Sequence, residues 1–128
     1  MKNFIFFAVI LIVLIIIGAV FLNSVKNESQ NQSQAIVLPT EYEYFWSETC
    51  PHCANVAEFM ESWDKKDKIQ MQKIEVNESL DNKKKFVERG DFCQIPRNQL
   101  GVPLLITPEG ICLSGDEPII EYLKNLEI

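Results

Sequence analysis

Residues Phe4 to Leu22 form an unbroken apolar run. At ~1.5 Å of rise per residue, a helix of that length reaches roughly across the ~30 Å hydrocarbon core of a bilayer. The chain therefore does not fold as one soluble unit. Residues 1–22 read as a transmembrane signal anchor rather than a cleaved signal peptide. The run exceeds the usual ~7–15 residue apolar region of a signal peptide, and Ala19-Val20-Phe21 puts a bulky residue where cleavage wants a small one. Lys2 and the terminal amine precede the span, whereas Lys26 beyond it is soon met by Glu28. The positive-inside rule then leaves the N-terminus in the cytoplasm and exports the rest.

Residues 23–35, rich in Asn, Gln and Ser, have almost no apolar content and cannot bury a core. They read as a flexible tether, and a coil of about 12 residues has an r.m.s. span of ~20 Å. The Asn-x-Ser triplets at Asn27, Asn31 and Asn77 are too common by chance to carry weight. Residues 36–128 remain for one small domain without internal repeats. Four cysteines in a small exported domain fit a compartment where disulfides persist. The formal charge of −6 and the lack of a basic stripe argue against nucleic-acid binding. Lys83-Lys84-Lys85 reads as a solvated helix face.

Glu41 to Trp46 alternates around β-favouring aromatics and predicts a strand. Beyond it, Cys53, Val56, Ala57, Phe59, Met60 and Trp63 recur at helical spacing up to the charged turn 64–68. A second strand is expected over 69–76. A helix from Leu80 to about Arg89 should then stop at Gly90. Leu104 to Thr107 and Ile111 to Leu113, joined by Pro108-Glu109-Gly110, read as a hairpin. Asp116 is the expected cap of a last helix, with Pro118 in its first turn and Ile119, Tyr122, Leu123 and Leu126 as its buried stripe. The order β-α-β-α-β-β-α predicts an α/β domain with a four-stranded mixed sheet flanked by helices.

Cys50-Pro51-His52-Cys53 lies where the first strand gives way to the first helix. A helix N-terminus carries partial positive charge, which favours a thiolate at the leading cysteine. Cys50 is thus the candidate nucleophile and Cys53 its resolving thiol. His52, the only histidine, sits where its ring and backbone can stabilise the Cys50 thiolate; a solvated residue, a catalytic base or a metal ligand are the alternatives. Cys93 and Cys112 lack a CxxC partner. They read first as a structural disulfide closing a loop of about 20 residues, worth ~3 kcal/mol in the chain-entropy model. A redox relay with Cys50 and Cys53, or two inert buried thiols, are the other readings. A haem attachment is excluded because Ala54 stands where C-x-x-C-H needs histidine.

With a Gly101-Val102-Pro103 run about 50 residues after the dithiol and before a hairpin, the domain resembles the thioredoxin-like superfamily. It looks closest to a glutaredoxin-sized member carrying the Cys-Pro-His-Cys motif of DsbA-like thiol oxidases. The resemblance implies a thioredoxin-like fold and a cis Val102–Pro103 bond. It further implies that the Val102 backbone pairs with substrate, that Pro103 keeps metal off the thiols, and that Pro51 and His52 make the pair oxidising. The expected function is a membrane-tethered protein thiol–disulfide oxidoreductase, working as an oxidase on exported clients without cofactor or metal. A quinone-linked membrane partner would reoxidise it. A reductase or isomerase of the same fold, or a zinc module held by Cys50, Cys53, Cys93 and Cys112 (or His52), are the rivals. One residue departs from the family pattern. Tyr44 stands six positions before Cys50, where a buried acid usually assists proton transfer, and Glu43 should face the other way. Water or Glu48 is left for that role.

Overall fold

The computed structural model describes Phe7, residues 11–17 and residues 37–128. The chain separates into two units, Met1–Ala35 and Ile36–Ile128. In the first, the described residues are helical and exposed, and no described helix is long and apolar enough to cross a membrane. The remainder of the predicted anchor, and the predicted tether over 23–35, lie outside the described residues.

The second unit is a mixed α/β domain. Its elements run β1 (Tyr42–Trp46), α1 (Pro51–Ser62), a 3-10 turn (Lys66–Lys68), β2 (Met71–Glu75), α2 (Leu80–Phe92), β3 (Leu104–Ile106), β4 (Cys112–Ser114) and α3 (Asp116–Lys124). The sheet order is β2-β1-β3-β4. β1 and β2 are parallel, with Tyr42 opposite Met71 and Trp46 opposite Glu75. β3 runs antiparallel to both β1 and β4. A parallel pair needs a crossover, and α1 supplies it.

Successive strand residues point to opposite faces, and the two sides of β1 feed two clusters. Tyr42 and Tyr44 join Leu105 against Val56, Met60 and Trp63 of the α1 segment and Ile119 and Leu123 of α3. On the other face, Phe45, Ile74, Leu104 and Ile106 meet Phe86 and Phe92 of α2. The Phe45 and Phe86 rings lie 5.5 Å apart. α1 shows the predicted spacing, with Cys53, Val56 and Met60 buried, but Ala57 is exposed.

Two element ends differ from the sequence expectation. α2 does not stop at Gly90 but runs through it to Phe92. At Gly90 a Cβ would stand 2.6 Å from Leu100 Cδ2, so the glycine sits in a close approach of the Leu100 side chain inside the helix and not at its end. Termination falls to Gln94 in the left-handed region (φ 56). Its N–H donates to the Asp91 carbonyl at 3.1 Å, and the Ile95 N–H to the Gly90 carbonyl at 2.9 Å. Those two bonds satisfy carbonyls that the last turn would otherwise leave open. At α3 the cap position is Gly115 (φ 94), and Asp116 is the first helical residue, its side chain engaged elsewhere.

The face under α2 also buries a charge. Glu43 is 4% exposed. Its carboxylate accepts from Arg89 Nε at 2.6 Å and Nη2 at 3.0 Å, and Lys85 Nζ lies 2.9 Å away. Arg89 Nη1 also donates to the Val37 carbonyl at 2.8 Å, tying the approach to β1 onto α2. Lys85 is therefore not a purely solvated residue as its basic run suggested. Burial pushes the Glu43 carboxyl up, but the hydrogen bonds and charges of Arg89 and Lys85 outweigh it and leave it below its ordinary value. A depressed folded-state carboxyl contributes stability that is complete above its unfolded pKa and lost as pH falls through the folded one. Glu43→Gln should cost about 3 kcal/mol at neutral pH by leaving half-buried cations unpaired. The variant should also lose less stability than the parent as pH falls below about 4.5, which urea melts across pH 3–7 would read.

Candidate active site

Three chain segments meet at one end of the sheet, and the pairings require it. β1 delivers its C-terminal end to the turn that begins α1. β3 runs antiparallel, with Leu104 opposite Phe45, so Val102 and Pro103 enter the sheet beside that turn. β4 returns with Ser114 opposite Leu104, which brings Gly115 and the start of α3 to the same end. The Gly115 N–H donates to the Pro103 carbonyl at 2.9 Å and closes the set.

Cys50 is the N-cap of α1, and Pro51 follows at the first helical position, where a missing N–H has no cost. The turn 47–50 is closed by the Cys50 N–H on the Ser47 carbonyl at 3.1 Å. Ser47 is buried, and its hydroxyl accepts from Asn77 Nδ2 at 3.1 Å, anchoring the turn to the end of β2. Cys50 and Cys53 are joined as a disulfide, Cα atoms 5.2 Å apart. The Cys53 N–H donates to Cys50 Sγ at 3.1 Å. Cys50 Sγ also lies 3.5 Å from the Val102 carbonyl oxygen, which a Cys50 thiol would be placed to donate to once reduced. The Val102–Pro103 peptide is cis, as the resemblance implied, and Pro103 is fully buried. Cys53 is 3% exposed while Cys50 is partly open, so an incoming thiolate reaches Cys50 first.

Two residues that the sequence did not bring to the site are present. Asp116 accepts a hydrogen bond from Asn55 Nδ2 at 2.6 Å, and His52 Nδ1 lies 3.0 Å from its other oxygen. The hydrogen bonds from Asn55 and then His52 hold the Asp116 carboxyl down at about 2, so it is ionised throughout the physiological range. Nothing local in the sequence could announce this. His52 and Asp116 are 64 residues apart, and an aspartate opening a helix is read first as its cap.

Tyr44 is 5% exposed, and among the described residues its hydroxyl has no hydrogen-bond partner. Burial first, and then the charge of Asp116, push the phenol up to about 12. It remains neutral and protonated at any pH where thiols exchange. Glu43 does face away from this side, in the ion pair under α2. Glu48 lies exposed in the turn.

Cys93 and Cys112 are also joined, with Cα atoms 5.9 Å apart. They belong to the cluster under α2, whereas the helix carrying Cys50 and Cys53 packs on the opposite face. The four cysteines thus form two separate pairs. Among the described residues, no group of three or more His, Cys, Asp or Glu side chains is arranged to hold a metal ion. Compared with models of known protein families and with curated proteins, the chain matches none.

Two outcomes follow from these placements. Tyr44→Phe removes a buried hydroxyl that no described residue satisfies, so it should stabilise the domain by about 1 kcal/mol. A thermal melt would show this as a rise of about 4–8 °C. Replacing both Cys93 and Cys112 by Ala should cost about 3 kcal/mol while leaving Cys50–Cys53 exchange with a small thiol at the parental rate. A loss of exchange would show that the two pairs are coupled after all.

Proposed function

We propose that this chain is a protein thiol–disulfide oxidoreductase of the thioredoxin-like superfamily, working as an oxidase from a membrane tether outside the cytoplasm. The observation that carries the reading is the Cys53 N–H bonded to Cys50 Sγ at a helix N-cap, 3.5 Å from the Val102 carbonyl. A thiolate formed at Cys50 inherits an N–H donor and the positive end of α1. The partial exposure of Cys50 and the burial of Cys53 divide the work between attacked and resolving sulfurs. The element order and the four-stranded mixed sheet are compatible with the thioredoxin-like fold.

In the oxidase direction a client thiolate attacks Cys50 Sγ. The Cys50–Cys53 bond breaks, and Cys53 leaves as a thiolate that takes up a proton. The client's second thiolate then attacks its own half of the mixed disulfide and releases Cys50 as a thiolate. The client has lost two electrons, and the protein has gained them. A quinone-linked membrane partner would accept those electrons and restore the disulfide. The apolar run Phe4 to Leu22 and the polar stretch 23–35 support the tether, and four cysteines support an oxidising compartment. Exported proteins with thiols are the proposed clients.

In a Cys53→Ala variant the Cys50 thiolate should attack a client disulfide, expel the client's other sulfur as a thiolate and stay bound as a mixed disulfide, because Cys53 is no longer there to displace the client. Captured partners should be predominantly exported proteins; cytoplasmic ones would reverse the topology. The reduction potential separates an oxidase from a reductase or isomerase. A value near ~−120 mV supports the oxidase, and one near ~−270 mV overturns it in favour of the reductase.

A further inference from the structure

A carboxylate that the exchange chemistry does not itself require joins the last helix to the start of the helix that carries the dithiol. Asp116 reaches from the first turn of α3 to two side chains near the start of α1, His52 and Asn55. Asn55 holds one oxygen at 2.6 Å and so fixes the carboxylate in place. The other oxygen faces His52 Nδ1 at 3.0 Å. The Asp116 side chain is 16% exposed, whereas that of His52 is 69% exposed. The carboxylate is thus built into the fold, and the imidazole is the movable partner.

We propose that Asp116 is a positioning residue that draws His52 away from the dithiol and so limits how oxidising the Cys50–Cys53 pair becomes. The inference rests on the exchange function proposed above and adds to it a control residue outside the CxxC motif. Two effects act in the same direction. When Cys50 is reduced, its thiolate and the Asp116 carboxylate compete for the one His52 ring, and the carboxylate, already 3.0 Å from Nδ1, holds it. The carboxylate is also a like charge near the forming thiolate, which disfavours the reduced state. A less stable thiolate means a less oxidising disulfide. Glu117, next in the first turn of α3, and Glu48, in the turn before Cys50, are exposed acids, so solvent and salt screen them more than Asp116. Tyr44, beneath the site, stays neutral and cannot offset the charge.

The test equilibrates the full-length chain with reduced and oxidised glutathione. In the reaction followed, the Cys50–Cys53 bond breaks, two glutathione thiols lose two electrons and two protons to the cysteines, and one glutathione disulfide forms. All variants are equilibrated at one pH and one ionic strength, so that the substitutions are the only difference read. Asp116→Ala should shift the equilibrium toward reduced protein by about fivefold, which for a two-electron couple is ~20 mV. Asp116→Asn keeps the shape and removes the charge. It should shift the same way, and it carries the test if the Ala variant does not fold. In a His52→Ala background the shift should fall by at least half.

An unchanged or less oxidising equilibrium in both Asp116 variants would overturn the inference while leaving the exchange function standing. A shift of the same size without His52 would also overturn it, by showing that the carboxylate acts directly and not through the imidazole. A parent protein whose Cys50–Cys53 disulfide does not exchange with glutathione at all would instead remove the function on which the inference stands. A purely structural role for the contact would lower the melting temperature of the Asp116 variants and leave the equilibrium where it was.

Discussion

The parallel pairing of β1 with β2 is the constraint on which the rest of the domain depends. Two neighbouring strands running the same way cannot be joined by a tight turn, so the chain must leave β1 at its C-terminal end and cross back over the sheet. That crossover is α1, and its N-terminus therefore lies at the end of a central strand buried on both faces. A helix starting there has its first N–H groups unpaired and its positive dipole end directed at whatever caps it. Here the cap is the Cys50 sulfur, which accepts the Cys53 N–H. The electrostatics of the dithiol thus follow from a connection rule before any side chain near it is considered.

The antiparallel half of the sheet supplies the other walls. Because β3 opposes β1, the chain entering β3 lies where the chain leaving β1 departs, and Val102 meets Cys50. Because β4 opposes β3, the segment after β4 returns to the same end and begins α3 there. The two helices on that face then pack on Tyr42, Tyr44 and Leu105, which holds Asp116 within reach of His52 and Asn55. The opposite face carries stability instead. There α2 buries the Glu43–Arg89 pair and is bound to edge strand β4 through Cys93 and Cys112.

Much of this was legible along the chain because the signals are local. The aromatic run before Cys50, the spacing of Val56 and Met60, and the Pro108-Glu109-Gly110 turn each report a conformation set within a few residues. The readings that failed were those in which a residue's local meaning was overridden by something distant. Gly90 resembles a helix stop, yet it lies inside α2, where the Leu100 side chain packs against it. Gln94 carries no stop signal, yet it adopts the left-handed conformation because two backbone hydrogen bonds close the helix around it. Lys85 resembles a solvated charge, yet Glu43 recruits it from β1.

The sequence by itself determined the element order, the placement of Cys50 at the start of a helix, and the separation of Tyr44 from Glu43 onto opposite faces. These follow from periodicity, and a strand's two-residue repeat leaves no choice. Only the tertiary structure decided that Cys93 and Cys112 pair with each other, that the Tyr44 hydroxyl is buried without a partner among the described residues, and that Asp116 faces His52. Those outcomes depend on which sheet edge receives each returning strand, a matter of long-range pairing that no local pattern encodes.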